Sequence, residues 1–475
     1  MLAIYSRIQV VRHDKCHLGP HLHRKVSVDT PATFSYGVSH QPGVPACNPN
    51  SFKDYSSMEK HSDVLVIGGG IIGLASAYYL AKAGKTVRLL EQNAIGAETA
   101  ASYGNCGLVF ISHLAPLCAP GTIRDEMIRR LHGTSPLYIK IAPDVKRFKW
   151  LLNFARKCNT KHMDYAIEAR SKILQNSLKL LEDLIKEEHI ECDWEEKGVL
   201  MVFKSRSEMQ KYGKANDLLK PYGLDAVSLV GDALFDFEPA LRKDVYGAWF
   251  HKKDSHLRPD KLLSAWQQVL LKMGVSIEEN CRLEELIPEK RRIRHAETTG
   301  GIYTADEYVL ATGAWTPQLA NRLKLSLPVE PGKGYSLTMT RPAVCPAIPC
   351  YFCEPNVVAT PWKDQFRLGG TMEFSGFNLD IFARRIQHLI SGANEYLKEP
   401  VGELEKVEWV GMRPMVYDDL PIIGRAPNHS NLVVATGHGM QGISMATSTG
   451  KLVSEIITGR QPHIDATAFA INRFH

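Results

Sequence analysis

The stretch that most constrains this chain is Asp63-Val64-Leu65-Val66-Ile67-Gly68-Gly69-Gly70-Ile71-Ile72-Gly73. A short apolar run leads into G-x-G-x-x-G. A helical pattern opens directly after it, with Leu74, Ala75, Tyr78 and Leu80 on its apolar side and Gly84 placed to close it as C′ residue. A second apolar run, Thr86-Val87-Arg88-Leu89-Leu90, ends on an acid, Glu91, with Gln92 beside it. A lone glycine triplet says little. Strand, glycine turn, helix and strand-end acid in this order predict a βαβ unit that binds a dinucleotide. Gly68 permits the tight turn, Gly70 lets a pyrophosphate approach the backbone, and Gly73 lets the helix pack close to the sheet. The pyrophosphate then meets the first free N–H groups of the helix, at Ile71 and Ile72, and its positive dipole end. Glu91 accepts from ribose hydroxyls and its charge disfavours a 2′-phosphate.

With 475 residues the chain exceeds one simple core, so two intertwined or sequential domains are expected. Hydrophobic content of 44% and charged content of 23% are ordinary for a globular protein. The net charge of +6 is modest, and no basic stripe alternates with aromatics, which argues against nucleic acid as a partner. The densest basic cluster, Lys290-Arg291-Arg292-Ile293-Arg294, falls between two strand-like runs and reads as an exposed hairpin turn. No apolar run approaches the ~20 residues that span a bilayer, so the chain is expected to be soluble or at most peripheral on a membrane. The ten cysteines show no secreted-scaffold spacing and read as small buried residues of a reducing compartment. Cys345, Cys350 and Cys353 have the C-x4-C-x2-C spacing of an iron–sulfur loop, but Pro342, Pro346, Pro349 and Pro355 surround them and Cys350 to Cys353 reads as strand. No metal site is expected.

Residues 1–57 mix Pro, Ser, His and Asn without periodicity and read as a disordered extension ahead of Met58, either a targeting segment or a mis-assigned start. The histidines His17, His21 and His23 near Cys16 read as tail residues. Deleting residues 1–57 is expected to leave a folded, active protein. From Tyr138 to Ile190 the pattern is helical, with Leu174, Leu178, Leu181 and Ile185 as a core stripe. Strands are expected at Gly198–Phe203, Val245–Phe250, Tyr308–Ala311, Tyr335–Thr340, Val357–Thr360, Phe366–Gly369 and Leu432–Thr436. Helices are expected at about Pro259–Met273 and Ile443–Thr458. The fold class is therefore α/β, with a split Rossmann-like domain and a second, β-rich domain. The expected pieces are 58–137, 257–325 and 411–475 for the dinucleotide domain, and 138–256 and 326–410 for the substrate domain.

Further segments carry a family likeness. They are Ala101-Ser102-Tyr103-Gly104-Asn105-Cys106-Gly107, Ala311-Thr312-Gly313-Ala314-Trp315, Gly332-Lys333-Gly334-Tyr335-Ser336-Leu337 and Arg367-Leu368-Gly369-Gly370-Thr371-Met372-Glu373. Next come Gly411-Met412-Arg413-Pro414-Met415, Asp418-Asp419-Leu420-Pro421-Ile422-Ile423-Gly424 and Thr436-Gly437-His438-Gly439-Met440. In this order, over about 410 residues from Val64 to Phe474, the chain resembles the FAD-dependent D-amino acid oxidase superfamily, most closely its D-amino acid dehydrogenase small subunits.

The resemblance implies FAD, bound non-covalently, since no cysteine lies between Gly437 and Ile443. It implies that Ser102, Asn105 and Gly107 pass beside the flavin, that the Leu283 backbone faces the adenine, and that Thr312 and Gly313 form a second close-approach turn. It further implies that Gly437, His438, Gly439, Met440, Gly442 and Ile443 form the turn at the pyrimidine end of the ring, where a helix N-terminus stabilises developing negative charge. The implied chemistry is oxidation of a D-amino acid by hydride transfer from Cα to flavin N5, with the imine hydrolysed to a 2-oxo acid. Arg413 aligns with the carboxylate-binding position, and a bidentate arginine suits that task; its bland alternative is a structural arginine near Glu408. Tyr335 is the second catalytic candidate, its phenol reaching carboxylate or amine. His438 either bonds near the flavin or fixes the turn. Met440 stands where several oxidases carry an arginine, which makes the pocket there more apolar. Electrons are expected to pass to a quinone-type acceptor, from a cytoplasmic site or one peripheral on the inner face of the membrane. The alternatives are a glycine- or sarcosine-type oxidase using oxygen, and a flavin subunit that needs partner subunits, as in a hydroxyproline or opine dehydrogenase.

Overall fold

The computed structural model describes residues 60–131, 135, 137–140, 143–402 and 406–474. The expectations for residues 1–57 lie outside the described residues. In chain order, the elements that build the site are β1 (Lys60–Ile67), α1 (Ile71–Lys82), β2 (Val87–Leu90), α2 (Thr122–Leu131), α3 (Val145–Lys157), α4 (Thr160–Glu187), β3 (Gly301–Leu310), β4 (Val329–Thr340), β5 (Cys350–Phe352), β6 (Gln365–Phe374), α5 (Ala383–Asn394), β7 (Val407–Val416), β8 (Leu432–Thr436) and α6 (Gly442–Thr458).

The first sheet is parallel at its centre. β1 pairs with β2 and β3, β3 pairs with β8, and β2 pairs with Ser276–Glu278, all parallel. A strand covered on both faces must be apolar at successive positions, and β1 is. Val64 and Val66 pack beneath α1, α4, α6 and the helix Pro259–Lys272, while Leu65 and Ile67 face a second cluster under an antiparallel meander. That meander joins Leu283–Glu289, Arg292–Thr298 and the start of β3. Its first turn carries Lys290 at φ 54°, so the basic run is the hairpin turn read from the sequence. Leu74, Ala75, Tyr78 and Leu80 are all buried, and Gly84 follows the helix with φ +81°.

The second sheet has β7, β4, β6, Val357–Pro361, β5, Val199–Phe203 and Gly247–His251 side by side. β4 pairs with β6 and β7 over most of its length, and α5 covers one face through Ile386, Leu389 and Ala393. β7 runs unbroken across the expected domain boundary at 410/411, because its whole length is in register with β4. The helical stretch expected at Tyr138–Ile190 also divides. Leu137–Ile139 is a strand on β6. Asp144 then caps α3 by accepting from the Lys146 and Arg147 N–H groups, and Asn159 caps α4 by accepting from the His162 N–H. The caps interrupt a periodicity that reads as continuous. The stripe of α4 is core as expected, with Leu174 and Leu181 buried and Leu178 and Ile185 packed against them. The three cysteines of the C-x4-C-x2-C run do not converge: Cys345 and Cys350 pack in the cluster under α5, and Cys353 in a separate one.

Candidate active site

A cavity of about 900 Å³ opens at the carboxyl ends of the four central parallel strands. Gly68 follows β1, Glu91 follows β2, Thr312 follows β3, and Thr436 ends β8; all four border it. This is where an open α/β sheet places its ligand. The turn is as tight as the glycines predict. A Cβ on Gly68 would lie 2.5 Å from the Ala311 carbonyl oxygen, and one on Gly73 would lie 1.7 Å from the Gly68 oxygen. Gly70 is different: a Cβ there meets nothing nearer than Ser102 Oγ at 3.9 Å, so its backbone faces open cavity. Ser102 Oγ accepts from the Ile71 N–H at the start of α1 (3.3 Å). The Glu91 carboxylate accepts from the Gly69 N–H (2.6 Å) and the Asn93 N–H (3.0 Å). Burial pushes its pKa up and these N–H donors oppose that, leaving a fixed acceptor beside Gln92.

The far wall joins both sheets. The Asn105 amide donates to the Met440 carbonyl (3.3 Å) and its oxygen accepts from the Gly107 N–H (2.8 Å). Arg367 on β6 donates to the Tyr103 and Asn105 carbonyls and to Thr338 Oγ1, which pins this loop to the second sheet. Trp409 fills the space left by two glycines: a Cβ on Gly104 or Gly411 would lie 2.0 or 2.1 Å from its ring. Ile71, Ile72, Leu283, Gly313, Gly439, Gly442 and Ile443 also border the cavity, whereas Gly73, Gly107 and Gly437 stand behind its wall. Gln441 precedes α6, and its side chain donates to the Phe110 and His113 carbonyls. Its oxygen accepts from Arg170, which also holds Asp419.

Arg413 comes from β7 and reaches the same cavity. Its guanidinium donates to the Thr371 carbonyl (2.8 Å) and approaches the Gly370 carbonyl (3.5 Å). No carboxylate pairs with it among the described residues, and Glu408 is exposed elsewhere on β7. Burial pulls its pKa down; the Cys106 thiol and Tyr351 phenol are near enough to oppose that. The guanidinium fits because residue 334 is glycine: a Cβ there would lie 2.1 Å from Arg413 Cζ.

Tyr335 does not present its phenol beside Arg413. Although it borders the cavity, its hydroxyl donates to Glu373 (3.1 Å) and its ring packs in the core under α5. The reason is the two-residue alternation of β4. Gly334 and Thr338 face Arg413 and Arg367, and Tyr335, Leu337 and Met339 face away. The tyrosine near Arg413 is Tyr351 of β5, which borders the cavity and donates to Asn356 Oδ1 (3.0 Å). Burial raises its pKa, so it stays a neutral phenol. Its signal was the run Cys350-Tyr351-Phe352, read as strand, in which alternation puts the tyrosine opposite its buried neighbours. Arg129 and Arg130 of α2 also border the cavity and went unread. Met440 borders the cavity and brings no charge of its own, while Arg170 stands behind it, held by Asp419 and Gln441. His438 is buried, its Nε2 bonded to Thr449 Oγ1 (2.9 Å), and desolvation pulls its pKa down to about 3. It is neutral and braces the turn against α6.

A glycine turn at parallel strand ends, continuous with a chamber that Arg413 borders, is the arrangement of a dinucleotide-binding enzyme. The sequence profile of the FAD dependent oxidoreductase family, DAO, matches residues 63–456, and the chain belongs to that family. It is an FAD-dependent oxidoreductase. A D-amino acid dehydrogenase of Methylobacterium sp. (strain 4-46) is 34% identical over 425 residues, 86% of this chain and 99% of the relative. One of Methylobacterium nodulans is 33% identical over 413 residues, 84% and 96%. Among solved structures, glycine oxidase from Geobacillus kaustophilus superposes with a TM-score of 0.69 at 21% identity, covering 87% of this chain and 99% of that one. Iminodiacetate oxidase from Chelativorans sp. BNC1 gives 0.66 at 21%, covering 86% and 98%. These two share the fold. The residues present fit FAD: the open Gly70 backbone and the start of α1 suit a pyrophosphate, and Glu91 suits a ribose.

Proposed function

We propose that this enzyme oxidatively deaminates a D-amino acid. The observation that carries the reading is the Arg413 guanidinium, half-buried, bonded to the Thr371 and Gly370 carbonyls and the Met372 sulfur with no carboxylate partner among the described residues, and open to the cavity. A partly desolvated cation without an anion is costly, and a substrate carboxylate supplies the missing charge. Tyr351 stands by as a neutral hydroxyl for the same carboxylate. The D-configuration and the dehydrogenase class rest on the relatives that are about a third identical.

FAD would lie against the Gly68–Ile72 backbone, Glu91, Ser102, Asn105, Thr312, Gly313 and His438 to Ile443, and would supply the two-electron acceptor. The chain's own residues orient the substrate and exclude water. Arg413 fixes the carboxylate, so that Cα and the amine are presented in one orientation. The α6 N-terminus offers N–H groups to negative charge at the cavity. A neutral His438 adds no charge of its own. No side-chain base is required when the amine arrives neutral, and the imine product hydrolyses in water to the 2-oxo acid. Non-covalent binding is supported by the cysteine-free turn Gly437–Ile443 and by His438 Nε2 being engaged by Thr449. The acceptor is taken to be a quinone, reached from the cytoplasmic side of a membrane. No helix among the described residues is long and apolar enough to cross one. Anaerobic bleaching of the purified flavoprotein by a panel of D- and L-amino acids, D-proline and sarcosine tests the reaction. Faster bleaching by a D-amino acid than by its L-enantiomer is expected; bleaching by none of them would refute it.

A further inference from the structure

One wall of the cavity owes nothing to the parallel strand ends. Trp150 and Phe154 of α3, Met372 and Phe374 of β6 and Met415 of β7 border it together. They form one apolar cluster. The Trp150 ring stacks on Phe154 with centroids 5.5 Å apart, leans on Phe374 at 5.3 Å, and packs with the two methionines. The Trp150 indole N–H donates to the Pro328 carbonyl (3.0 Å), so its one polar atom already has a partner. α3 carries five lysines and arginines, yet the residues it brings to the cavity are Trp150, Leu151, Phe154 and Ala155.

This wall begins at the Arg413 guanidinium. Met372 Sδ lies 3.8 Å from Arg413 Nη1. A Cβ on Gly332 would lie 2.8 Å from Met372 Sδ and 2.6 Å from Met415 Cγ, so the glycine leaves room for both thioethers. At its other end the wall reaches the turn before α6, where a Cβ on Gly439 would lie 3.6 Å from Met415 Cε. A molecule whose carboxylate is held at Arg413 therefore has rings and thioethers beside it. Among the described residues, the other charged side chains at the cavity are Glu91, Arg282 and, on α2, Glu126, Arg129 and Arg130. None of these stands on α3, β6 or β7, and Glu126 pairs with Arg130 (3.4 Å). A charged side chain set against this wall loses water and gains no partner from it, whereas an apolar one gains with the area it buries. Methionines are flexible and polarisable and favour contact with rings, so such a wall adapts to several large shapes.

We propose that this wall selects the substrate side chain: the enzyme takes D-amino acids with a large apolar or aromatic side chain, in preference to small and to acidic ones. Phe154, Met372 and Met415 set that preference. The proposal rests on the reading of Arg413 as the carboxylate holder, but it is measured with ligands that cannot react, so the two fail separately.

The test is titration of the full-chain, FAD-loaded enzyme with three carboxylates that lack the amino group, followed by the change in flavin absorbance. Propanoate, 3-phenylpropanoate and pentanedioate stand for a small, an aromatic and an acidic side chain. Wild type is expected to bind 3-phenylpropanoate at least about tenfold more tightly than either of the others. Phe154→Arg, at a half-buried position, should cut the advantage of 3-phenylpropanoate over pentanedioate by about tenfold, and Phe154→Leu should keep it. If the arginine variant does not hold FAD, the advantage over propanoate is measured in Phe154→Ala, where it should fall. Three results would each overturn the proposal: propanoate bound as tightly as 3-phenylpropanoate, pentanedioate bound most tightly, or preferences in the arginine or alanine variant equal to those of wild type. An Arg413→Ala enzyme that binds all three as tightly as wild type would strike the carboxylate reading instead, while the order of the three ligands in wild type still decides this proposal.

Discussion

The two sheets present their functional groups in opposite ways. The parallel sheet offers its backbone: open N–H groups after β1, the Thr312-Gly313 turn after β3, a helix start after β8. Backbone sites are written locally, because the glycines that make them lie next to one another in sequence. The antiparallel sheet offers side chains brought from separate strands. Arg413 stands on β7, room for it is left by Gly334 on β4, its carbonyl partners are Gly370 and Thr371 on β6, and Tyr351 stands on β5. The first kind of site breaks when a Cβ is added. The second breaks when a functional group is removed.

The largest effect is expected from Gly73→Ala. The new Cβ has a backbone oxygen at 1.7 Å and no flexible neighbour to give way. The protein should lose bound FAD or fail to fold, read as the flavin-to-protein absorbance ratio, whereas Gly84→Ala, which meets no atom but strains a φ of +81°, should lower stability and retain FAD. On the other sheet, Arg413→Ala should retain FAD and lower kcat/KM by roughly 10³-fold, as expected for a lost bidentate carboxylate contact worth ~3–4 kcal/mol. Arg413→Lys should recover little of this, because an ammonium lacks the planar fork. Equal loss of FAD in both sets of variants would erase the contrast.

A smaller effect separates the two tyrosines. Tyr351→Phe should raise KM by about tenfold, on the scale of one hydrogen bond to a charged group. Tyr335→Phe should instead lower thermal stability, because it removes the hydrogen bond that buried Glu373 accepts, and should change KM little. The reverse pattern would restore Tyr335 as a substrate ligand.

That exchange shows where the sequence was legible. The βαβ unit, the hairpin at Lys290, the α4 stripe and the split cofactor sheet were all readable, since each follows from neighbouring residues or a repeated period. The position of Arg413 came through family likeness. Its surroundings did not, because strand alternation decides which face a residue takes, and the motif Gly334-Tyr335 contains one residue for each face. α2 was missed because a helix with no buried residue has no core stripe to read.

The smallest expected effect concerns the loop between the sheets. Asp254 is fully buried, accepts from the Ser112 N–H and hydroxyl, and has no cationic partner among the described residues. Desolvation pushes its pKa up to about 7. The folded state therefore keeps this proton after the unfolded chain has released it near pH ~4. Stability is full below that pH, falls as pH rises toward about 7, and is level above it. The decline is at most about 4 kcal/mol. Asp254→Asn should flatten it in chemical denaturation between pH 5 and 8, and an unchanged slope would assign the titration elsewhere.

The central claim is that Arg413 holds the substrate carboxylate in front of FAD bound at the parallel strand ends. Stopped-flow anaerobic bleaching with one effective D-amino acid and with its carboxamide tests it directly. Wild type should bleach far faster with the acid than with the amide, and Arg413→Ala should lose that preference while keeping its FAD. An Arg413→Ala enzyme that still prefers the acid as strongly as wild type would contradict the account.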